Sequence, residues 1–442
     1  MSDEHDFTIV GAGLAGALMA VYLGRAGRRV RLFEKRPDPR RGDADSGRSI
    51  NLALSARGLF ALTQVEVAAK VMEAAIPMRG RMIHALDGSL AYQAYGRNDD
   101  EAIHSVSRLG LNLVLLDAAD ALGNVEIHFD HRCTRYELNR DRLSFAVGAT
   151  GEKKVVERPG RIVGADGVFS AVRRALVSLD RFDYSQAYLE AGYKELTIPP
   201  TAAGEFALEP NALHIWPRGS FMMIALPNPD RSFTVTCFWP FAGPNGFDSM
   251  ITDDDVKSFF ASTFADALPL MPSLTQEFRG NPVGSLCTIR TRPWHHGDRV
   301  VLIGDAAHAV VPFYGQGMNA AFEDCTILAE ALDTHGEDVG AAFREYDERH
   351  RVHVDALADL AIHNFVEMRD HVKRPSFRLR KRLDRVLSNL FPRLYRPLYG
   401  MVQFTRIPYA DAVERARTQD RWLSFIGIAL VFVAVVLAAW LI

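Results

Sequence analysis

Cysteine is scarce in this chain. Four residues, Cys133, Cys237, Cys287 and Cys325, stand far apart. No two lie at metal-ligand spacing and they do not form the dense pattern of a disulfide scaffold, so reduced thiols are expected. An excess of one charge is also missing: 51 Lys+Arg face 54 Asp+Glu, a formal net charge of -3. That balance excludes a global attraction to nucleic acid. The start, Met-Ser-Asp-Glu-His-Asp, lacks the basic and apolar regions of a signal peptide. Internal repeats and low-complexity tracts are absent, and no Ser/His/Asp or metal-ligating constellation stands out.

Long hydrophobic runs are missing too, with one exception. Leu423 to Ile442 carries no charge, follows Arg415, Arg417 and Arg421, and is flanked by Trp422 and Trp440. About 20 apolar residues suffice to cross a bilayer as a helix. Basic residues on one side and tryptophans at the ends fit a membrane segment with the main body cytoplasmic. A terminal transmembrane helix contacting membrane lipid is therefore expected.

The rest reads as ordinary globular protein, 48% hydrophobic and 24% charged, and 442 residues are too many for one core. The fold class expected is α/β. Phe7–Val10 reads as a buried strand, Ala15–Gly24 as a helix and Arg29–Glu34 as a second strand, which is a βαβ unit. Arg161–Asp166 and Arg299–Asp305 read as further strands ending in aspartates. Between about 181 and 286, short runs such as Phe221–Leu226 and Phe233–Phe238 alternate with Pro, Gly and Asn, as in an antiparallel sheet. Helices are expected over Asn319–Leu332, Val339–Arg369 and Phe377–Leu390. The division expected is a Rossmann-type dinucleotide-binding domain over 1–180, with a substrate-site insertion near 75–100. An α+β substrate domain follows over 181–286, then the second part of the first domain over 287–335. C-terminal helices over 336–421 cap the substrate site, and 422–442 is the anchor.

Gly11-Ala-Gly13-Leu-Ala-Gly16 follows the first strand and opens the first helix. In that context the spacing has a mechanism. Gly11 permits the turn, Gly13 lets backbone approach a pyrophosphate, and Gly16 brings helix against strand. The helix N-terminus offers free N–H groups to phosphate. Glu34 ends the second strand, where an acid accepts hydrogen bonds from a ribose and argues against a 2′-phosphate, so FAD or NAD fits and NADP does not.

Two further motifs decide between them. Gly164-Ala-Asp166-Gly167 through Arg173, and Gly304-Asp305-Ala-Ala-His308 with Pro312 and Gly315-Gln-Gly317-Met318-Asn319, resemble the D-G and G-D motifs of the class A flavoprotein monooxygenases, which are FAD-dependent aromatic hydroxylases. The resemblance implies that Asp305 binds the ribityl chain and that the following helix N-terminus faces the flavin ring, where its dipole stabilises reduced flavin. It also implies Arg36, Ala53, Arg108, Asp166, Gly317, Met318 and Asn319 as cofactor contacts. His308 is expected to pack beside the motif and not to act as a base. No second dinucleotide fingerprint is present, so the NADPH of such enzymes would bind transiently.

More specific segments resemble the kynurenine-hydroxylating branch of that family: Gly47–Gly58, Arg81–His84, Tyr95-Gly96, Ser105–Arg108, Asn364–Arg369 and Pro397–Tyr399. Hydroxylation of L-kynurenine with NADPH and O₂, through a flavin C4a-hydroperoxide, is what this implies. The chemistry of the residues agrees. A substrate with an α-amino acid group needs a carboxylate clamp, and an arginine beside a phenol, Arg81 with Tyr95, supplies one. By resemblance, Asn364 and Tyr399 hold the amino-acid end, while Pro312, Phe313 and Tyr314 line the aromatic end. Tyr314 stands where the family pattern leads us to expect phenylalanine. Two rivals are a membrane-bound epoxidase or lipid reductase of the same fold, with a greasy pocket that has no use for Arg81, and a non-enzymatic binding module, which has little reason to keep a complete G-D motif.

Overall fold

The structure is a computed structural model that describes residues 5–41, 51–96, 101–366, 384, 386–388, 390–391 and 394–440. The expected helix over 377–390, the stretch 367–369 and residues 47–50 of the quoted motif fall wholly or mostly outside these.

The glycine-rich turn sits where the βαβ reading puts it. Phe7–Val10, fully buried, is followed by the helix Leu14–Arg25 and the strand Val30–Phe33. These belong to a six-stranded sheet in the order His295–His296, Val300–Leu302, Arg161–Gly164, Phe7–Val10, Val30–Phe33, Val125–His128. All neighbours are parallel except the edge pair His295–His296 with Val300–Leu302. Parallel sheets are covered on both faces, which is why these strands read as unbroken apolar runs.

A second sheet has seven strands: Gly284–Arg292, Asp183–Ile198, Phe233–Pro240, Met222–Pro227, Ala212–Pro217, Gly80–His84, Leu90–Ala94. The last two come from the 75–100 insertion. Gly80–His84 joins by a parallel ladder to Ala212–Pro217, pairing Arg81 with Leu213, whereas the other pairings are antiparallel. Period-2 alternation sends the two faces to different cores. Val235, Cys237 and Trp239 face an aromatic core with Phe260, Phe264 and Phe278 from the helices behind. Phe238 and Met222 face the opposite way, toward Phe313, Phe365 and Met401. The sheet is thus a wall between a packed rear core and the site.

The long helices Gly317–His335 and Val339–Val366 run beside the first sheet. The chain ends in one helix, Tyr409–Trp440. Its first turns are docked, with Tyr409 and Ala412 buried. Past Arg421 the described side chains are mostly exposed, among them Trp422, Phe425, Ile428 and Phe432. The separate terminal transmembrane helix expected over 422–442 does not emerge: the segment continues a helix whose start is charged and docked, and among the described residues no helix is long and apolar enough to cross a membrane.

Candidate active site

The dinucleotide turn is built by exclusion. Gly11 has φ +102°, and a Cβ there would lie 2.4 Å from the Ala165 carbonyl oxygen. A Cβ on Gly16 would lie 1.9 Å from the Gly11 carbonyl oxygen. At Gly13 a Cβ would meet nothing within 4 Å among the described residues, the open approach that a pyrophosphate requires. Glu34 is buried and braces this turn. One carboxylate oxygen accepts the Ala12 N–H at 2.9 Å, and the other accepts the Arg36 backbone N–H at 3.1 Å and Nε–H at 2.7 Å. Arg36 thus stands beside Glu34 at the strand end.

The two aspartate motifs meet across one arginine. Asp166 accepts the N–H groups of Ala171 at 2.6 Å and Val172 at 3.3 Å, while its other oxygen is buried without a partner among the described residues. Burial pushes this carboxyl above its ordinary value. Buried Arg173 donates to the carbonyls of Val168 and Ala306, the latter at 2.9 Å, tying the D-G segment to the G-D turn. Asp305 reaches the surface in that turn, but the protein packed around its carboxyl raises it above its ordinary value against the charges of His308 and Arg108. Beneath it, Asp324 accepts the Gly304 N–H at 2.7 Å and pairs with His308 at 2.7 Å and His350 at 3.1 Å. His308 also lies 4.8 Å from Trp294, so it is a packed, ion-paired residue.

The N-terminus of Gly317–His335 is fixed by buried polar contacts. Gly315 has φ +66°, which lets the turn reverse into the helix. Asn319 accepts the Ser55 N–H at 2.9 Å and donates to the carbonyls of Ala53 at 2.8 Å and Gly315 at 3.0 Å, so Ala53, Gly317, Met318 and Asn319 share one corner. Gln316, Gln403 and Tyr409 form a second bracket: Gln316 donates to Gln403 at 2.7 Å and accepts from Tyr409 at 2.9 Å, and Gln403 donates to the Tyr314 carbonyl at 2.9 Å. Arg57, buried, pairs with Glu323 at 2.9 Å and lies 3.9 Å from the Tyr409 ring. Sequence reading missed Gln316, Gln403, Tyr409, Glu323 and the bridging role of Arg173. A polar residue at an apolar helical position was the available signal.

Opposite this corner lies an aromatic cluster around one cation. The Arg81 guanidinium carbon is 5.3 Å from the Tyr95 ring and 4.7 Å from the Tyr399 ring, and the two rings stack at 5.1 Å. Tyr314 follows at 5.9 Å from Tyr399. Arg81 Nε and the Tyr95 hydroxyl are buried without hydrogen-bond partners among the described residues. Burial pushes the Tyr95 phenol up, so it remains a protonated donor. Phe313 stacks on Phe365 at 4.2 Å and contacts Phe238 at 5.0 Å, and its carbonyl accepts Asn364 at 2.6 Å. Pro312 opens this turn and is exposed. Arg81, Tyr95, Tyr314 and Tyr399 are therefore brought together directly. Asn364 reaches the group through Phe313.

With this geometry in view, residues 4–361 match the FAD binding domain family. Kynurenine 3-monooxygenase of Salinispora tropica is 47% identical over 97% of this chain and 95% of its own length, and that of Myxococcus xanthus 46% over 94% and 89%. The chain belongs to the kynurenine 3-monooxygenase family. The Anopheles gambiae member of that family is 44% identical over 95% of this chain and 86% of its own. Among solved structures, 2-methyl-3-hydroxypyridine-5-carboxylic acid oxygenase superposes with TM-score 0.67 at 21% identity over 89% of this chain and 99% of that one, which supports the fold. In this kynurenine 3-monooxygenase framework the glycine turn, the open backbone at Gly13 and the unpaired Asp166 oxygen fit FAD.

Proposed function

We propose that the chain hydroxylates L-kynurenine to 3-hydroxykynurenine with FAD, NADPH and O₂. One observation carries the substrate assignment. Arg81 is a guanidinium that stays charged, yet its neighbours among the described residues are two phenol rings and no carboxylate. Cation–π contacts offset only part of the desolvation of such a charge. A ligand carboxylate completes the site: Arg81 Nε–H and the Tyr95 O–H both donate to it. Asn364 and Tyr399 stand at the amino-acid end, and Pro312, Phe313 and Tyr314 lead toward the helix N-terminus at Gly317.

On this reading Gly11, Gly13, Gly16 and Glu34 hold the dinucleotide, with Arg36, Ala53, Arg108, Asp166, Asp305, Met318 and Asn319 as further contacts. When bound, FAD supplies the redox and oxygen-transfer chemistry. The protein orients the ring by clamping the carboxylate, and its apolar wall of Met222, Phe238 and Phe313 excludes water. No side chain is needed as a nucleophile. The test is NADPH oxidation by the FAD-loaded protein with L-kynurenine. Substrate-dependent oxidation with 3-hydroxykynurenine as product supports the reading, and oxidation without hydroxylated product overturns it.

We also propose that the stretch past Arg421 attaches the chain to lipid, with the body on the cytoplasmic side. The exposed Trp422, Phe425, Ile426, Ile428 and Phe432, preceded by exposed Arg415, Arg417 and Arg421, support this.

A further inference from the structure

Arg81 lies on a short strand, Gly80–His84, near one edge of its sheet, with only Leu90–Ala94 beyond it. The strand's height sets where the guanidinium sits, because among the described residues Arg81 is flanked by two phenol rings and no carboxylate pairs with it. The rear of the sheet supplies a candidate for holding it there. His84, three residues on, points to the opposite face, where its ring stacks on Trp216 at 4.0 Å. Its Nδ1 is 2.6 Å from Asp266 Oδ2 and its Nε2 is 2.9 Å from His214 Nδ1. His214 Nε2 is 2.9 Å from the Glu209 carbonyl oxygen, and Trp216 Nε1 donates to both Asp266 oxygens at 3.1 and 2.9 Å. Arg218 donates to the His84 carbonyl at 2.9 Å.

The protons in this chain can be counted. A carbonyl only accepts, so His214 Nε2 carries hydrogen. Burial holds His214 down at about 4, so at neutral pH it is uncharged and its Nδ1 is a lone pair. His84 Nε2 must then donate to it. The Asp266 carboxylate faces the remaining nitrogen of His84, and a 2.6 Å contact between two acceptors would be repulsive. One further proton therefore sits between His84 and Asp266. The indole N–H already donates to both Asp266 oxygens, so the geometry places that proton on the His84 side of the contact. The titratable and charged groups facing His84 are Asp266, His214 and Arg218. Burial, the largest influence, acts with Arg218 against Asp266 and leaves the His84 imidazolium below its ordinary value, so the shared proton is held in acidic solution and lost as pH rises toward neutral.

We propose that His84 is a positioning residue for Arg81: the proton it shares with Asp266 locks the Gly80–His84 strand from the rear of the sheet and so fixes the guanidinium against the substrate carboxylate. The proposal rests on the carboxylate-clamp reading of Arg81 and adds a pH-dependent support to it. Loss of the proton as pH rises leaves a carboxylate against a lone pair, the strand shifts, and substrate affinity falls while the chemistry at the far end of the substrate is little changed.

The test compares wild type, Asp266→Asn and His84→Phe as FAD-loaded full chains. The KM for L-kynurenine and kcat are followed from about pH 4.5 to about pH 8, a range that starts below the ordinary imidazole value, with ¹⁵N shifts of the histidine rings. Asparagine donates to a neutral His84, so Asp266→Asn keeps the relay with no extra proton. In wild type, both His84 nitrogens should read as protonated at low pH. KM should rise about tenfold over the range in which His84 loses its proton, with kcat nearly flat. In Asp266→Asn that rise should vanish. His84→Phe keeps the stacking on Trp216 and should show the raised KM at every pH. A His84 titration with no change in KM, or an Asp266→Asn variant with the wild-type slope, overturns the proposal. If no variant turns over kynurenine, the substrate reading fails, and a His84 that carries only one ring proton at low pH would separately overturn the lock.

Discussion

The Tyr95 hydroxyl is costly to the empty chain and useful to a loaded one. Among the described residues it is buried without a hydrogen-bond partner, so Tyr95→Phe removes an unsatisfied polar group and should leave the melting temperature unchanged or raised. On the proposed carboxylate clamp, the same substitution removes a donor to the substrate. Hydrogen bonds to charged groups contribute about 1.5–3 kcal/mol, so KM for L-kynurenine should rise roughly 10- to 100-fold. Steady-state kinetics beside a thermal melt check both halves, and a fall in stability with unchanged KM would assign Tyr95 to packing. Gly16 makes the opposite kind of prediction. An added methyl would lie 1.9 Å from the Gly11 carbonyl oxygen, so Gly16→Ala should open the turn and lose FAD. The flavin-to-protein absorbance ratio after gel filtration measures this, and full flavin retention would contradict it.

Elements whose signal is local were legible in the sequence. The turn Gly11–Gly16, the strand ending at Glu34 and the G-D turn each rest on residues a few positions apart, and each forms the element its spacing dictates. Arg81 and Tyr95 also meet, because the strands Gly80–His84 and Leu90–Ala94 form an adjacent antiparallel pair. What was not legible joins distant elements. Arg57 pairs with Glu323 266 positions away, and His84 meets Asp266 after 182. No periodicity encodes such a pairing, since it is set by which faces the sheets turn toward each other. The terminal helix shows the same limit. Composition alone marked Leu423–Ile442 as a separate spanning unit, whereas the helix starts at Tyr409 and its first turns hold Gln316 and Arg57. A chain ending at Arg421 keeps those contacts. It should leave the membrane fraction while retaining flavin and most activity. Membrane retention after truncation would contradict lipid attachment through this stretch.

At the scale of the whole molecule, Asp324 joins the G-D turn to both long helices through Gly304, His308 and His350. Burial opposes its charge, but His308 and His350 outweigh burial and hold its carboxyl well below the ordinary range. Burial likewise opposes the His308 charge, and Asp324 raises that imidazole above its usual value. The signs follow from linkage. The Asp324 contribution is present above the ordinary carboxyl range and is lost as pH falls toward its depressed value. The His308 contribution is present below the ordinary imidazole value and is lost as pH rises through the raised one. Stability from the pair should therefore peak between those limits, in mildly acidic to neutral solution. Asp324→Asn leaves a buried imidazolium unpaired and should cost about 3–5 kcal/mol while flattening the neutral-to-alkaline slope. Thermal midpoints across pH for both proteins check this, and parallel profiles would contradict it.

The buried Arg81 guanidinium is proposed to read the carboxylate of an aromatic substrate. Binding of L-kynurenine and of kynuramine, the same molecule without the carboxylate, to the FAD-loaded wild type and to Arg81→Met tests it directly. Wild type should prefer L-kynurenine by about 10- to 100-fold, and Arg81→Met should bind the two nearly alike. A preference that survives in Arg81→Met would contradict the account.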